Sequence, residues 1–486
     1  MEEKSSVKQT KKSTQDLNNV AGKRCLMVLH RFWPFLGGSE RQFLKWAQVL
    51  DEKDCRVDVF TTNVWDNDYF YYPEKKYIKE STAKIGKNIT IRRFKISHLP
   101  NKNACLKFLS KFPGKAIKFL IGSPYIFVPG YYIYMFFITF FMSKRFNFVI
   151  AGVFPHYYLI YPAYLYAKVK KIPFILVPLV HFGEPNSDEN FDLFFNEKGK
   201  YLLKNCDYIL TITNYEKEKL TANGINPAKI KVSGIGIDKK IDVADVVNLN
   251  NSNADNYKTD NSESENLKVV NYTLDNSNTN NYKQAMYNNI SDSIGSEKFK
   301  EKYNINSPYV LQISTQTHDK GSHHTVEAMK ILWEKGFDIK LVLIGQILAE
   351  FEQYLISQKS YVFENTIILN YASEEDKNNA IEGCEVFVMP SKSDSFGLVY
   401  VEAWLHEKPV IAAYCGGVME VIDEGINGFF VPFGDYEMIA GYILKLVQNK
   451  ELAQKMGKEG YKKAENNYLW DQRIKGFNKL IEGLKL

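Results

Sequence analysis

The sequence predicts an α/β protein built from two doubly wound, Rossmann-like parallel sheets that face a cleft. Short apolar runs bounded by polar or turn residues recur along the chain, as buried parallel strands do. Helical stretches separate these runs, which gives the alternation of a doubly wound sheet. A polar, Asn-rich segment divides the pattern into two similar halves. We therefore expect two domains whose ligands bind at the carboxyl ends of the strands.

The first half begins with a strand, a glycine turn, a helix and a second strand. The apolar run Cys25–His30 predicts a buried strand, and Gly37 and Gly38 follow it in a turn. Apolar residues at helical spacing then predict a helix that Ser39 caps. A strand at residues 56–60 completes a βαβ unit. Further strands of this half are expected at Phe148–Ala151, Phe174–Val177 and Tyr208–Ile212.

The second half repeats the alternation of short apolar strands and helices. A helix is predicted over His324–Glu334, between the first two strands of this half. The predicted strands are Tyr309–Ile313, Ile339–Ile344, Thr366–Leu369, Val386–Met389, Pro409–Ala412 and Gly428–Val431.

The composition of successive segments predicts the domain boundaries. Residues 241–298 are rich in Asn, Ser, Asp and Thr and carry too few apolar residues to offset the entropy of ordering, so we expect a disordered insertion. The predicted divisions are a disordered tail (1–23), an N-terminal acceptor-side Rossmann-like domain (24–240), the insertion (241–298), a C-terminal nucleotide-sugar-binding Rossmann-like domain (299–470) and a C-terminal helix that packs back on the N-terminal domain (471–486).

Composition and charge exclude several classes of protein. Apolar residues make up 45% and charged residues 24%, which excludes a wholly disordered chain, a collagen-like fibre and a polytopic membrane protein. The net charge of +6 is a mild excess that suits an anionic ligand or an acidic membrane face and does not indicate nucleic acid. The six cysteines form no CxxC pair, so neither zinc nor a redox motif is indicated, and we expect buried free thiols in a reducing compartment. The tail lacks the apolar core of a signal peptide.

The segment from Pro390 to Trp404 carries the most informative chemistry. It follows an apolar strand and opens a helix, with Asp394 in the loop and Glu402 eight residues further on. Free backbone N–H groups near Gly397 and Leu398, at the helix N-terminus, would suit a phosphate. Two carboxylates beside a phosphate would repel it, so their natural partners are hydroxyls, from which they accept hydrogen bonds. A ligand with both phosphates and hydroxyls is a sugar nucleotide. The alternative is that Asp394 merely caps the helix and Glu402 is a solvated helix residue.

With these motifs in place, the chain resembles the retaining glycosyltransferases of the GT-B type, in the family 4 (group 1) set that includes sucrose synthase and bacterial mannosyltransferases. The family pattern is an acidic residue, seven spacers and Glu around a Phe-Gly pair, here Asp394, Glu402 and Phe396-Gly397. The resemblance continues through residues 409–412, 416–417, 425–428 and 431–435, and covers roughly residues 24–240 and 300–480.

The resemblance implies roles for the residues of the second half. Asp394, one methylene shorter than the commoner Glu, would contact hydroxyls of the transferred sugar, and Glu402 would bind the ribose. Phe396, Gly397 and Leu398 would bind the donor. Lys320, in a Lys-Gly pair, would clamp the diphosphate as a point charge. The alternative for Lys320 is a solvated lysine in a surface turn.

One expected diphosphate contact is missing. Thr315 occupies the place where the family usually carries an Arg, so this second clamp is absent or supplied from elsewhere.

In the first half, Gly37 and Gly38 match the glycine loop of the family, where backbone amides approach a phosphate or the acceptor. The alternative is a plain tight turn. His181, at the carboxyl end of a strand, matches a histidine that the family places near the donor sugar. His156, on the acceptor side, has a similar setting. Either could instead be a structural histidine.

The implied reaction is transfer of a hexose from a nucleotide-diphosphate sugar to a glycan or lipid-linked acceptor with retention of anomeric configuration. No carboxylate nucleophile paired with an acid/base is evident, so front-face substitution is expected, with Asp394, His181 and Lys320 as catalytic residues. No metal and no cofactor besides the donor substrate is expected. The alternatives are a non-catalytic sugar-nucleotide-binding protein, which the Thr315 and Asp394 departures motivate, and a dehydrogenase, which lacks its G-x-G-x-x-G turn.

A stretch without charged residues runs from Phe119 to Met142, with basic residues on both sides. Its aromatic residues indicate an interfacial surface, so we expect peripheral association with the inner face of the membrane, in the cytoplasm, and a role in cell-envelope glycan synthesis. The alternatives are a helix packed in the core and a transmembrane helix.

Overall fold

The computed structural model describes residues 19–34, 37–65, 67–70, 77–98, 126–185, 194–239 and 295–486. The chain divides into two compact units. The N-terminal unit comprises the described residues up to His181, those within Asp188–Gly236 and the segment Trp470–Leu486. The C-terminal unit comprises the described residues within Phe182–Ser187 and Ile237–Leu469. The predicted disordered tail and insertion lie almost wholly outside the described residues, and the predicted domain boundaries stay predictions.

The N-terminal unit is built on an eight-stranded sheet. Its strands are β1 (Arg24–Val28), β2 (Arg56–Thr62), β3 (Thr82–Ile85), β4 (Ile89–Phe94), β7 (Phe148–Gly152), β8 (Phe174–Val177), β9 (Tyr208–Thr211) and β10 (Ile230–Val232), and β5 (Ser97–His98) and β6 (Ile126–Phe127) form a separate pair. The strand order is β10-β9-β8-β7-β1-β2-β4-β3. All neighbours are parallel except β3, which pairs antiparallel with β4 at one edge. Cys25 lies opposite both Val57 and Phe148, which fixes the register of the central strands.

Helices cover this sheet because its central strands are buried at nearly every position, as parallel strands between two helical layers must be. The helices are α1 (Gly38–Glu52), α2 (Pro129–Phe140), α3 (Tyr157–Lys170), α4 (Glu197–Asn205) and α5 (Asn214–Ala222). The predicted cap of α1 is wrong. Gly37 is the N-cap residue and has no side chain to cap the helix, while Ser39 lies inside the first turn, where its hydroxyl donates to Glu40.

The C-terminal unit is built on a six-stranded, fully parallel sheet. Its strands are β11 (Tyr309–Ile313), β12 (Lys340–Ile344), β13 (Thr366–Leu369), β14 (Val386–Met389), β15 (Val410–Ala413) and β16 (Gly428–Val431). They follow the order β13-β12-β11-β14-β15-β16. All six strands predicted for this half are confirmed, with ends that differ by at most one residue.

The helices of the C-terminal unit flank its sheet. They are α6 (Gly295–Lys302), α7 (Ser322–Glu334), α8 (Ala349–Ile356), α9 (Ser360–Glu364), α10 (Glu374–Gly383), α11 (Leu398–Leu405), α12 (Val418–Val421), α13 (Tyr436–Gln448) and α14 (Lys450–Asn467). The predicted helix His324–Glu334 is confirmed, but it begins two residues earlier. The last helix, α15 (Trp470–Glu482), belongs to the N-terminal unit, where its Phe477 stacks on Trp46 with ring centroids 5.1 Å apart.

The structure tests the predictions about buried thiols and about membrane-spanning helices. The five described cysteines are free and buried, so the prediction of buried thiols is confirmed for Cys25, Cys55, Cys206, Cys384 and Cys415. Among the helices that the structure describes, none has the length and hydropathy to cross a bilayer.

Candidate active site

Asp394 occupies the loop between β14 and α11, where its side chain organises the start of the helix. The side chain is largely buried, and its Oδ1 accepts from the backbone N–H groups of Phe396 (3.1 Å) and Gly397 (3.0 Å). Gly397 is the N-cap residue with φ of 81°, a left-handed conformation that suits glycine. Asp394 therefore fixes the two residues before α11 and is not its N-cap residue, so the alternative that it merely caps the helix is wrong. The expectation that the Gly397 amide is a free donor is wrong, because Asp394 already accepts from it.

Lys320 pairs with the second oxygen of the same carboxylate. Its Nζ lies 2.9 Å from Asp394 Oδ2, and the exposed fractions of the two side chains are 26% and 13%. Burial alone would lower the pKa of Lys320, but the charge and hydrogen bond of Asp394 raise it above its ordinary value. Lys320 is thus a fixed ammonium group, and the alternative of a solvated surface lysine is wrong.

Close packing between two loops holds this ion pair together. Gly321, with φ of 73°, is the N-cap of α7, and a Cβ there would lie 2.3 Å from the carbonyl oxygen of Pro390. The Lys392 N–H also donates to the Asp319 carbonyl at 2.7 Å. Any side chain larger than hydrogen at residue 321 would therefore push the Lys320 loop away from the Asp394 loop.

A buried polar network that the sequence motifs do not predict lies beneath the Lys320 loop. Gln312 Nε2 donates to the Lys320 carbonyl at 3.0 Å and to Ser322 Oγ at 3.1 Å, and Gln312 Oε1 accepts from Thr325 at 2.7 Å. These three side chains are fully buried. A Gln inside an otherwise apolar strand was the available signal, because a buried amide needs partners. Thr315, in the same loop, is exposed.

Glu402 lies on α11 and forms a second buried ion pair. Its carboxylate is 3.1 Å from Lys377 Nζ on α10, and 11% of each side chain is exposed. Lys377 also contacts Glu374 at 2.9 Å. Glu402 is therefore not the solvated helix residue of the alternative interpretation. Lys377 had no signal in the sequence, because it comes from a different helix and matches no motif.

A short segment of the chain, Phe182–Glu184, adds to the same unit near these loops. Phe182 forms a β-bridge with Asp394, and the Asp394 N–H donates to the Phe182 carbonyl at 3.3 Å. The Glu184 carboxylate accepts from the Phe433 N–H at 2.8 Å. Glu184 had no role in the sequence analysis. Its contact links this segment to the loop that follows β16.

In the N-terminal unit, Gly37 and Gly38 begin α1 beside a cluster of buried polar side chains. Arg31 Nε donates to Glu40 Oε1 at 3.3 Å, and His30 Nε2 lies 3.5 Å from the same oxygen. Gly37 has extended backbone angles, so no left-handed conformation requires glycine there. His30, Arg31 and Glu40 were not predicted. Their signal was polar residues directly after the first strand, where open α/β sheets bind ligands.

His156 stacks on His30 with ring centroids 4.0 Å apart and an interplanar angle of 7°. The two residues follow β7 and β1, which are neighbouring strands at the point where the strand order reverses. Burial, together with the nearby charge of Arg31, lowers the pKa of both imidazoles well below the ordinary range. Both rings are therefore neutral at physiological pH.

His181 follows β8 and is half-buried. Its ring stacks with that of Phe194 at a centroid distance of 5.9 Å. His181, His156, Gly37 and Gly38 belong to the N-terminal unit, and the other predicted site residues belong to the C-terminal unit. Of the latter, the structure brings Lys320, Asp394, Phe396 and Gly397 together and pairs Glu402 with Lys377, while Leu398 is the first residue of α11. Within the described ranges, no group of three or more His, Cys, Asp or Glu is arranged to hold a metal ion.

The C-terminal unit matches known proteins in sequence. Residues 294–463 match the model of the family described as glycosyl transferases group 1. The capsular polysaccharide biosynthesis glycosyltransferase CapM of Staphylococcus aureus is 29% identical over 200 residues, which cover 39% of this chain and 51% of CapM. The chain spans about half the length of the curated relatives it matches.

Solved structures with low sequence identity share the fold of nearly the whole chain. HepE from Anabaena, crystallised with UDP and glucose, has a TM-score of 0.62 at 14% identity, covering 95% of this chain and 100% of HepE. WaaG, a glycosyltransferase involved in lipopolysaccharide biosynthesis, has a TM-score of 0.58 at 13% identity, covering 94% of this chain and 100% of WaaG. The chain has the GT-B fold, with two Rossmann-like α/β units.

Proposed function

We propose that this protein is a glycosyltransferase that moves a hexose from a nucleotide-diphosphate sugar to a glycan or lipid-linked acceptor with retention of anomeric configuration. The observation that carries the proposal is the partly buried Lys320–Asp394 ion pair beside the N-terminus of α11. It places a fixed cation beside a helix N-terminus, a combination that suits a diphosphate. The pair lies within the residues that match the group 1 family.

In the proposed complex, Lys320 neutralises the diphosphate, and the start of α11 at Phe396, Gly397 and Leu398 faces the donor. Glu402 accepts from ribose hydroxyls, and the ion pair with Lys377 orients its carboxylate. Asp394 contacts the transferred sugar only if its carboxylate accepts from a sugar hydroxyl as well as from Lys320 and the two backbone amides.

The rest of the proposed donor and acceptor site comes from weaker contacts and from the N-terminal unit. Thr315 offers a hydroxyl where an Arg would offer a charge. By the family resemblance, Gly37 and Gly38 are proposed as donor-binding residues, His181 as a contact of the transferred sugar and His156 as an acceptor-side residue.

The proposed reaction is a front-face substitution at the anomeric carbon. The bond from this carbon to the diphosphate oxygen breaks while the acceptor oxygen bonds on the same face. The proton of the acceptor hydroxyl passes to the leaving diphosphate, so no separate base is needed. Lys320 and the helix N-terminus stabilise the negative charge that develops on the diphosphate. No metal or other cofactor takes part.

The test is release of nucleoside diphosphate from UDP-, GDP- and ADP-sugars by wild type and by the Glu402→Gln variant. Wild type should turn over at least one donor, and the variant should lose most of this activity while keeping its fold. Tight nucleotide binding without any turnover would favour the second candidate, a non-catalytic sugar-nucleotide-binding protein. That candidate is favoured by Thr315 in the Arg place and by the carboxylate of Asp394, whose contacts already include a cation and two amides.

A peripheral membrane contact is part of the proposal, and an exposed apolar surface on α2 supports it. This aromatic patch consists of Ile133, Phe136, Phe137, Phe140 and Phe141, with exposed fractions of 51–70%. Single exposed apolar residues are ordinary, but four on one helix together with Phe141, which follows it, form a surface that water solvates poorly.

Basic residues border the aromatic patch. Lys144 follows it and is exposed, and Lys170, at the end of α3, donates to the Met142 carbonyl. Apolar residues with a basic border fit an anionic lipid surface. A lipid-linked acceptor at the cytoplasmic face, in cell-envelope glycan synthesis as the name of CapM suggests, would suit this arrangement.

Flotation with vesicles tests the membrane contact. Wild type should float with vesicles that contain anionic phospholipid and less with neutral vesicles, and Ile133→Ser with Phe136→Ser should abolish flotation. Ile356→Ser is the matched control, because Ile356 is similarly exposed, at 60%, but lies on α8 of the other unit. Equal flotation of wild type and the double variant would overturn the contact.

A further inference from the structure

We infer that Glu216 is a positioning residue that holds the backbone leading into His181. The inference rests on the proposed function, because it assumes that His181 contacts the donor sugar. Glu216 lies in the first turn of α5 and is buried, with 1% of the residue exposed. Nothing in the sequence motifs pointed to it.

The carboxylate of Glu216 connects the ends of two neighbouring strands. Its Oε1 accepts from the Val180 N–H at 3.0 Å, and its Oε2 accepts from the Ile212 N–H at 3.1 Å. Ile212 directly follows β9, and Val180 lies three residues beyond β8. The two parallel strands separate here, so their last amides need acceptors from elsewhere. One carboxylate supplies both, and it ties Val180, one residue before His181, to the carboxyl end of the sheet.

The backbone before His181 needs such an anchor. Leu179 has φ of 50°, in the left-handed region that residues with a Cβ rarely adopt. A segment in this conformation persists when its surroundings fix it, and such segments cluster at functional sites. Val180, next to Leu179, is the residue that Glu216 holds.

The chemistry of the position requires a carboxylate. A glutamine offers one oxygen acceptor, and its amide nitrogen would face the other N–H donor. The helix itself has a separate cap, because Thr213 Oγ accepts from the Glu216 N–H at 3.1 Å. Burial raises the pKa of Glu216 to about 7, while the two backbone amides favour its ionised form. A buried carboxylate that is expensive to ionise, beside an already capped helix, points to the Val180 and Ile212 contacts as its purpose.

Hydrogen exchange tests the positioning without any need for turnover. In Glu216→Gln, a peptide covering residues 174–185 should exchange at least about tenfold faster than in wild type. Thr213→Ala is the matched control, because it removes the helix cap and leaves the carboxylate; it should accelerate residues 213–222 and leave residues 174–185 unchanged. Unchanged exchange in residues 174–185 of Glu216→Gln would overturn the inference. If that variant does not fold, Glu216→Asp is measured instead, because its carboxylate is one methylene too short to reach both amides; unchanged exchange in residues 174–185 of that variant would overturn the inference.

Kinetics test whether the positioning acts through His181. Glu216→Gln should lower kcat by roughly ten- to a hundredfold, because small displacements of a group near the reacting atoms have effects of this size, and leave KM nearly unchanged. In a His181→Ala background, the same substitution should lower kcat by less than about twofold further. Independent, multiplicative losses would overturn the link to His181. If wild type shows no turnover with any donor, the proposed function fails, and hydrogen exchange still decides the role of Glu216.

Discussion

Replacing Lys320 by Met separates the structural role of the Lys320–Asp394 pair from its role in the reaction. The substitution keeps the length and most of the apolar stem of the side chain and removes the charge. It leaves Asp394, with 13% of its side chain exposed, facing an apolar group in place of an ammonium. We expect Lys320→Met to lower both the free energy of unfolding and the rate of sugar transfer.

The size of the stability loss follows from the geometry. At an effective dielectric constant of about 20, two unit charges 2.9 Å apart attract by roughly 6 kcal/mol before desolvation of both groups is subtracted. Removing one partner of a buried pair typically destabilises by about 3–5 kcal/mol. Asp394 keeps the amides of Phe396 and Gly397, so the low end, about 3 kcal/mol, is expected.

The double variant Lys320→Met with Asp394→Asn provides the discriminating comparison. The carboxamide oxygen that Asp394→Asn introduces could still accept from the two amides, and no uncompensated charge remains. The free energy of unfolding of the double variant, measured in urea by circular dichroism, should therefore lie within about 1 kcal/mol of the wild-type value. Release of nucleoside diphosphate from the sugar donor should stay about 100- to 1000-fold below wild type in both variants, because the cation on the leaving group is lost.

Two results would refute this reasoning. If the double variant regained both stability and turnover, Lys320 would serve the fold alone. If Lys320→Met unfolded like wild type, the ion pair would not stabilise the loop between β11 and α7.

Three further predictions concern other parts of the chain. Glu402→Gln should lower turnover by about a hundredfold but destabilise the protein by only about 1 kcal/mol, because Lys377 keeps its ion pair with Glu374. Unfolding and turnover assays check this, and a fully active variant would contradict it. The folded-state pKa of Glu216, about 7, exceeds its ordinary value of 4.5, so the folded state binds more protons than the unfolded state between these two pH values. The free energy of unfolding should therefore fall by up to about 3 kcal/mol as the pH rises from 4.5 to 7. Urea unfolding across this range should show the fall in wild type and lack it in Glu216→Gln; equal slopes would contradict it. Burial raises the pKa of the five described cysteines, so a thiol reagent should label them in urea and not in the native protein, and rapid native labelling would contradict it.

The sequence predicted the central strands of both sheets because such strands are continuous apolar runs bounded by turns. The edge hairpin of β3 and β4 was not predicted, since β3 is mostly exposed, β4 alternates between buried and partly buried positions, and both carry charged side chains. The cap of α1 was predicted wrongly because the helix begins at Gly38, one residue before Ser39, so the N-cap position falls on Gly37.

The candidate site was predicted as a set of residues, but not as a set of contacts. A motif places Asp394 and Glu402 near one helix start, yet their partners Lys320 and Lys377 come from other elements, 74 and 25 residues away in the chain. Such pairings depend on how loops and helices pack, which local patterns do not encode. Glu216 was missed for the same reason, because its two partners are backbone amides that any sequence would provide.

The central claim is tested most directly by incubating the wild-type protein with each nucleotide-diphosphate sugar and an acceptor glycan, and determining the anomeric configuration of the product by proton NMR. We predict equimolar release of nucleoside diphosphate and a product whose anomeric configuration is that of the donor. Nucleotide binding without release, or a product of inverted configuration, would contradict the proposed retaining transfer.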